Sequence, residues 1–175
     1  SVRAATTMGP ATQVGLNPRY WNTGTDVPEA FSPDGQTAVV VSTDLAHLQL
    51  YLRDLRTSER RVLVNRVNNE RPGTARMSPD GRWVAYAWMT YVPRTLGLRV
   101  IGTARGSEGR TLIPQQDQNG VRVIGWTPDS ASILIELRRG QRPAEQSATS
   151  LAWVNASDGT VRIIKTFDNW RMGPQ

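Results

Sequence analysis

Phe31-Ser32-Pro33-Asp34-Gly35 recurs as Met77-Ser78-Pro79-Asp80-Gly81 and again as Trp126-Thr127-Pro128-Asp129-Ser130, with the prolines 46 and then 49 residues apart. Each copy has a large apolar residue, a hydroxyl residue, Pro, Asp, and then Gly or Ser. Pro presets φ at the second position of a turn, Asp suits the third, and Gly tolerates φ > 0 at the fourth. The Ser or Thr hydroxyl bonds back to the turn amides. This is the chemistry of a tight corner between two strands. The third copy, with Thr127 and Ser130 in place of Ser and Gly, predicts a looser corner.

The flanks repeat with the corners. After each comes a β-branched or aromatic run, Thr37–Ser42, Trp83–Trp88 and Ser132–Leu137, that reads as a strand. A second strand follows a variable loop, at Leu48–Asp54, Leu96–Gly102 and Ser150–Ala156, and a third follows a polar turn, at Arg61–Val64, Arg110–Ile113 and Val161–Thr166. A short inner strand precedes each corner, at Val27–Phe31, Gly73–Met77 and Val121–Trp126. Four strands in a unit of this length is the arithmetic of a propeller blade. The fold expected is therefore all-β, a β-propeller of four-stranded antiparallel blades. Leu45, Leu48, Leu52 and Leu55 also fit a helical period. The repeat decides against a helix, because the aligned segments carry Gly97 and Gly102 or the Ser157-Asp158-Gly159 turn. Pro28 is admissible because the innermost strand of a blade is an edge. Phe31, Met77 and Trp126, equivalent by position, are expected to pack between adjacent blades.

The Ser-Pro-Asp-Gly corner, its apolar strand, the variable loop and a strand ending in a polar turn together resemble the TolB-like β-propeller repeat, over about Val27 to Phe167. Met77 to Tyr86 is the nearest match. The resemblance implies about six blades, of which three are complete here: 27–72, 73–120 and 121–167. Within the N-terminal segment 1–26, residues 10–19 read as the outer strand of a preceding blade, and within 168–175, which starts a linker to a missing blade, residues 170–175 read as the approach to a following corner. Three blades cannot close a ring. Further blades of a larger propeller or a second copy of the chain are expected to cover the open ends, and the interrupted repeats at both termini favour the larger propeller. The family's usual role implies a binding or scaffold module with protein or peptide partners at the rim or channel, and a bacterial envelope location. The alternative it implies is the gating propeller of a prolyl-oligopeptidase-type serine peptidase, whose catalytic domain would lie elsewhere.

Composition narrows the function further. The 175 residues are 38% hydrophobic, the range of a globular chain able to bury a core. With no Cys and one His, thiol chemistry and most zinc geometries are excluded, and neither a cofactor nor a metal site is expected. The net charge of +6 raises nucleic acid as a partner. Against it, Lys165 is the one lysine, and the arginines alternate with acids as in Arg53-Asp54, Glu59-Arg60 and Glu70-Arg71. No apolar run is long enough to span a membrane as a helix.

Candidate binding residues follow from the blade plan. The loops between second and third strands hold Asp44 and His47, then Tyr91 and Arg94, then Arg138, Arg139 and Arg142. The last group could grip a carboxylate through paired guanidinium contacts. A solvated insertion is the simpler reading of that loop. Strand alternation puts Glu29, Arg76 and Arg122 near the axis, as a mixed-charge channel. His47 beside Asp44 and Thr43 lacks the spacing of a triad, and there is no Gly-x-Ser-x-Gly, so no catalytic residue is assigned. Asn155-Ala156-Ser157 matches a glycosylation sequon but reads more simply as a hairpin turn.

Overall fold

The three corners share one hydrogen-bond scheme in the structure, a computed structural model that describes residues 26–42, 48–65, 70–90, 92, 95–117, 120–139 and 148–168. Ser32 N donates to Thr37 O, and Gly35 N closes the turn on Ser32 O at 2.9 Å. The Ser32 hydroxyl accepts from Thr37 N and donates to Asp34 Oδ1, which also accepts from Gln36 N. Ser78 and Asp80 repeat this with Trp83 and Arg82. The third corner is no looser. Thr127 and Asp129 make the equivalent bonds to Ser132 and Ala131, and Ser130 adopts φ 59° where Gly35 and Gly81 have 68° and 71°. The turn bonds hold Ser130 in a left-handed conformation that its Cβ disfavours.

From these corners the chain builds three antiparallel sheets in simple sequence order. The first is β1 (Asp26–Phe31), β2 (Thr37–Ser42), β3 (Leu50–Asp54) and β4 (Arg60–Val64). The second is β5 (Glu70–Met77), β6 (Trp83–Thr90), β7 (Thr95–Gly102) and β8 (Gly109–Asp117). The third is β9 (Gly120–Trp126), β10 (Ser132–Arg139), β11 (Ala148–Asn155) and β12 (Val161–Asp168). No helix occurs among the described residues. The sheets do not close on themselves, as expected of a partial propeller. The segments read as partial blades, 10–19 and 170–175, lie outside the described residues. Several strands run longer than their apolar cores suggest: β5 starts at Glu70, and β10 continues through Arg139. Backbone pairing across the ladder carries polar residues along with the apolar ones that nucleate it.

Each turn from the third strand to the fourth is tied back to its own corner, since Leu55 N donates to Gln36 O, Thr103 N to Arg82 O and Ala156 N to Ala131 O. Asn155 Oδ1 accepts from both the amide and the hydroxyl of Ser157, the side-chain-to-backbone bonding of a turn residue.

Period-two alternation gives every sheet two faces. Val39, Val41, Leu50 and Leu52 of the first sheet bury against Ala75, Val84, Tyr86, Trp88 and Ile101 of the second. On its other face the second sheet buries Ala85, Leu96, Leu98 and Val100 against Val121, Val123, Ile133, Ile135, Ala152 and Val154 of the third. Met77 and Trp126 pack at these two junctions as expected. Phe31 pairs in register with Ala38 and is 49% exposed; it faces away from the second sheet, on the side equivalent to the one Met77 and Trp126 use, where no sheet stands among the described residues to test the expectation.

Candidate functional site

The corners lie along one edge of the molecule and touch one another. A Cβ on Gly81 would stand 3.5 Å from Cδ of Pro33, and Asp80 N donates to the hydroxyl of Ser130 at 3.2 Å. Ser130 therefore supplies a contact between neighbouring corners that Gly could not. The corner carboxylates are held below the ordinary aspartate value, chiefly by the hydroxyl bonds from Ser32 to Asp34, Ser78 to Asp80 and Thr127 to Asp129. Between the first two corners a cavity of about 390 Å³ is lined by Pro33, Asp34, Leu52, Arg61, Met77 and Asp80. Between the second and third, Trp83, Val100, Ser130 and Asn155 line one of about 300 Å³. Arg110 crosses this second gap and donates to the carbonyls of Ala156 and Ser157. Trp83 stands where the other two corners carry Thr37 and Ser132, and is partly exposed in the gap.

At the inner strands the expected channel charges are partly assembled. Arg76 Nη1 lies 2.9 Å from Glu29 Oε2 and also donates to the carbonyls of Glu29 and Ala75, both at 2.7 Å. Its Nε reaches Ile124 O at 3.1 Å. One guanidinium thus ties β1, β5 and β9 together. Trp126 Nε1 adds a bond to Arg76 O, and Thr74 Oγ1 accepts from Val123 N.

Arg122 does not join Glu29 and Arg76. A bulge in β9 at Ile124 interrupts the alternation, and Arg122 pairs in register with Glu136. A bulge of one residue is enough to re-aim the side chains beyond it. Arg122 Nη1 is 4.0 Å from Glu136 Oε2. Arg138, expected on a loop, lies within β10 and donates through Nε to Glu136 Oε1 at 2.8 Å. Glu136 was missed from sequence, although a carboxylate inside the apolar run Ser-Ile-Leu-Ile-Glu-Leu was a visible signal. Asp44, His47, Tyr91, Arg94 and Arg142 lie outside the described residues, and Arg139 is described in its backbone only.

Two aromatic clusters also escaped the sequence reading. Tyr51 donates its hydroxyl to Asp26 Oδ2 at 2.7 Å beneath the guanidinium of Arg60. Burial and then the Asp26 bond push its phenol up to about 12. Tyr86 and Trp88 meet edge to face at 5.9 Å, Arg99 lies over the Trp88 ring, and Trp88 Nε1 donates to Glu70. Burial raises the Tyr86 phenol as well. No group of three or more His, Cys, Asp or Glu able to hold a metal ion occurs among the described residues.

This geometry can be set beside solved structures. The chain is similar to TolB from Acinetobacter baumannii, with a TM-score of 0.58 at 16% identity over 79% of this chain and 32% of that one. It is similar to a putative TolB from Agrobacterium tumefaciens, with a TM-score of 0.62 at 14% identity over 82% of this chain and 50% of that one. The fold is that of a TolB-type β-propeller. The β-propeller domain of the Trilobed protease from Pyrococcus furiosus, described as having an open velcro topology, also matches, at 17% identity and a TM-score of 0.57 over 82% of this chain and 42% of that domain. The chain spans half or less of the length of each of these structures. No family model matches the sequence, and no curated protein does.

Proposed function

We propose that this chain is a non-enzymatic binding or scaffold module, part of a larger propeller, that engages a protein or peptide at its rim loops or channel mouth. The observation that supports the reading is its three-sheet TolB-type arc. Within it, Arg76 and Arg110 spend their donors on neighbouring sheets. Recognition then falls to groups outside those ties, of which Tyr91, Arg94, Arg139 and Arg142 are the candidates nominated by sequence. Selection of displayed random peptides on the purified chain tests this. Enriched peptides should lose affinity at least 10-fold in the Arg139→Ala/Arg142→Ala variant if two guanidinium contacts are removed. Failure to enrich any peptide over an unrelated propeller would refute the reading.

A second reading has its own support. The chain is similar to Porphyromonas gingivalis dipeptidyl peptidase 4, with a TM-score of 0.61 at 11% identity over 80% of this chain and 25% of that one. In that case the module gates a peptidase. A Gly-x-Ser-x-Gly segment elsewhere in the same polypeptide, labelled by a fluorophosphonate probe, distinguishes this alternative.

A further inference from the structure

The two gaps between neighbouring corners occupy equivalent places in the repeat and differ in what lines them. Asp34, Asp80 and Arg61 bring charge to the first, and no aromatic residue stands among its described lining residues. The second is lined by Trp83, with the small or polar side chains of Ala131, Ser130, Asn155 and Ser157 around it. No carboxylate stands among its described lining residues, and both terminal nitrogens of Arg110 are taken up by the carbonyls of Ala156 and Ser157.

Trp83 comes with a second departure from the repeat. It pairs in register with Gly102, where the other sheets pair Thr37 with Asp54 and Ser132 with Asn155. Asp54 accepts from the amides of Arg56 and Thr57 in its own turn, and Asn155 from that of Ser157. Gly102 offers its turn no such acceptor. A Cβ there would stand 2.5 Å from Ser107 Oγ and 3.8 Å from Cζ3 of Trp83. One copy of the repeat thus gives up a turn bond beside an aromatic ring that is 40% exposed. Local rules are broken in this way where a site is made.

The groups around the indole select a neutral ring bearing hydroxyls. Asn155 spends Oδ1 on the amide and the hydroxyl of Ser157, which leaves its Nδ2 as a donor and the Ser157 oxygen as an acceptor. Neither that Nδ2 nor Nε1 of Trp83 has a partner among the described residues. A pyranose packs the C–H groups of its flat side on an indole, and its edge hydroxyls both donate and accept. A proline ring also stacks but brings no hydroxyl to the amide. A charged ligand finds neither a carboxylate nor a free terminal guanidinium nitrogen. The cavity of about 300 Å³ is at the small end for ligand pockets, with room for a sugar ring rather than a long chain.

We propose that the gap between the second and third corners is a binding subsite for a neutral saccharide, one ring stacked on Trp83 with its hydroxyls bonded to Asn155 and Ser157. Both walls belong to described sheets, at the opposite end of β10 from Arg139, so the subsite depends neither on the rim-loop reading nor on further blades.

Indole N–H resonances of the isotope-labelled 175-residue chain would be followed during titration with cellotriose, tri-N-acetylchitotriose and maltotriose, with the Trp83 peak assigned from Trp83→Phe. At least one of these sugars is expected to move that peak, with a Kd of about 1 mM or tighter. Trp83→Thr, which installs the residue of the first corner, should weaken the binding by about 10-fold or more. Asn155→Asp, the residue found at the equivalent Asp54, keeps the acceptor for the turn and removes the donor, and should weaken it by about 3- to 10-fold. It carries the test should Trp83→Thr fail to fold. A Trp83 peak unmoved by all of these sugars would overturn the proposal. So would movement by hexaproline in their place, which would make the gap a peptide site. Lower stability in Trp83→Thr with unchanged saccharide affinity would show that the indole merely covers Gly102, and would overturn it too.

Discussion

Ser130 shows how one residue can depart from a repeat and strengthen it. Its φ of 59° carries the penalty of a Cβ in the left-handed region, while its hydroxyl accepts from Asp80 N in the neighbouring corner. Ser130→Ala keeps the strain and loses the bond, and should destabilise by about 1 kcal/mol in urea unfolding. Ser130→Gly relieves the strain as it loses the bond, and should stay within about 0.5 kcal/mol of the parent. Equal losses in the two variants would show that the backbone conformation is unstrained. The corner aspartates make a second prediction. Asp34, Asp80 and Asp129 are depressed below the ordinary value of 3.8, mainly by hydroxyl donors. Groups depressed on folding contribute stability that is present above that value and lost as pH falls through their folded values. The urea midpoint should therefore hold from pH 6 to about 4 and drop below it. The triple Asp→Asn variant should show a shallower drop, and an unchanged acid limb would assign it to other groups.

Among the elements, the turns between third and fourth strands set how closely the sheets approach. Gly159 has φ +78°, and a Cβ there would stand 2.5 Å from the Leu112 carbonyl oxygen of the neighbouring sheet. Gly35 has a similar φ of +68° with nothing within 4 Å. Gly35→Ala should cost about 1 kcal/mol from conformation alone, and Gly159→Ala about 2 to 3 kcal/mol because the clash adds to it. Comparable losses would mean that β8 moves aside without resistance. The strands themselves were legible in sequence because the corner, the alternation and the repeat agreed on one register. Their ends were less so, since β10 extends over Arg138 and Arg139 by backbone pairing that side-chain hydrophobicity does not report.

Across the whole molecule, the three sheets are joined by apolar faces and by one central guanidinium. Arg76 links β1, β5 and β9, and removing it leaves the Glu29 carboxylate half-buried without that partner. Arg76→Met should destabilise by about 2 to 3 kcal/mol, discounted from a fully buried pair because the site is partly open to water. With Glu29→Gln the two losses should be less than additive by about 1 kcal/mol, the sign of a shared interaction. Strict additivity in the double-mutant cycle would mean that the carbonyl bonds, rather than the ion pair, hold the inner strands.

Corner chemistry, blade count and the identity of the buried faces were all set by local pattern. Turn preference and period-two alternation act between residues close in sequence, and three copies of the same pattern reinforced one another. The site was decided by tertiary contact. Glu29 and Arg76 meet because sheets one and two stack, whereas the bulge at Ile124 carries Arg122 away to Glu136. A bulge depends on how a strand fits its partner, and the cover a sheet face needs depends on what packs against it. Neither is carried by the strand's own residues, so both appear only once the sheets are assembled.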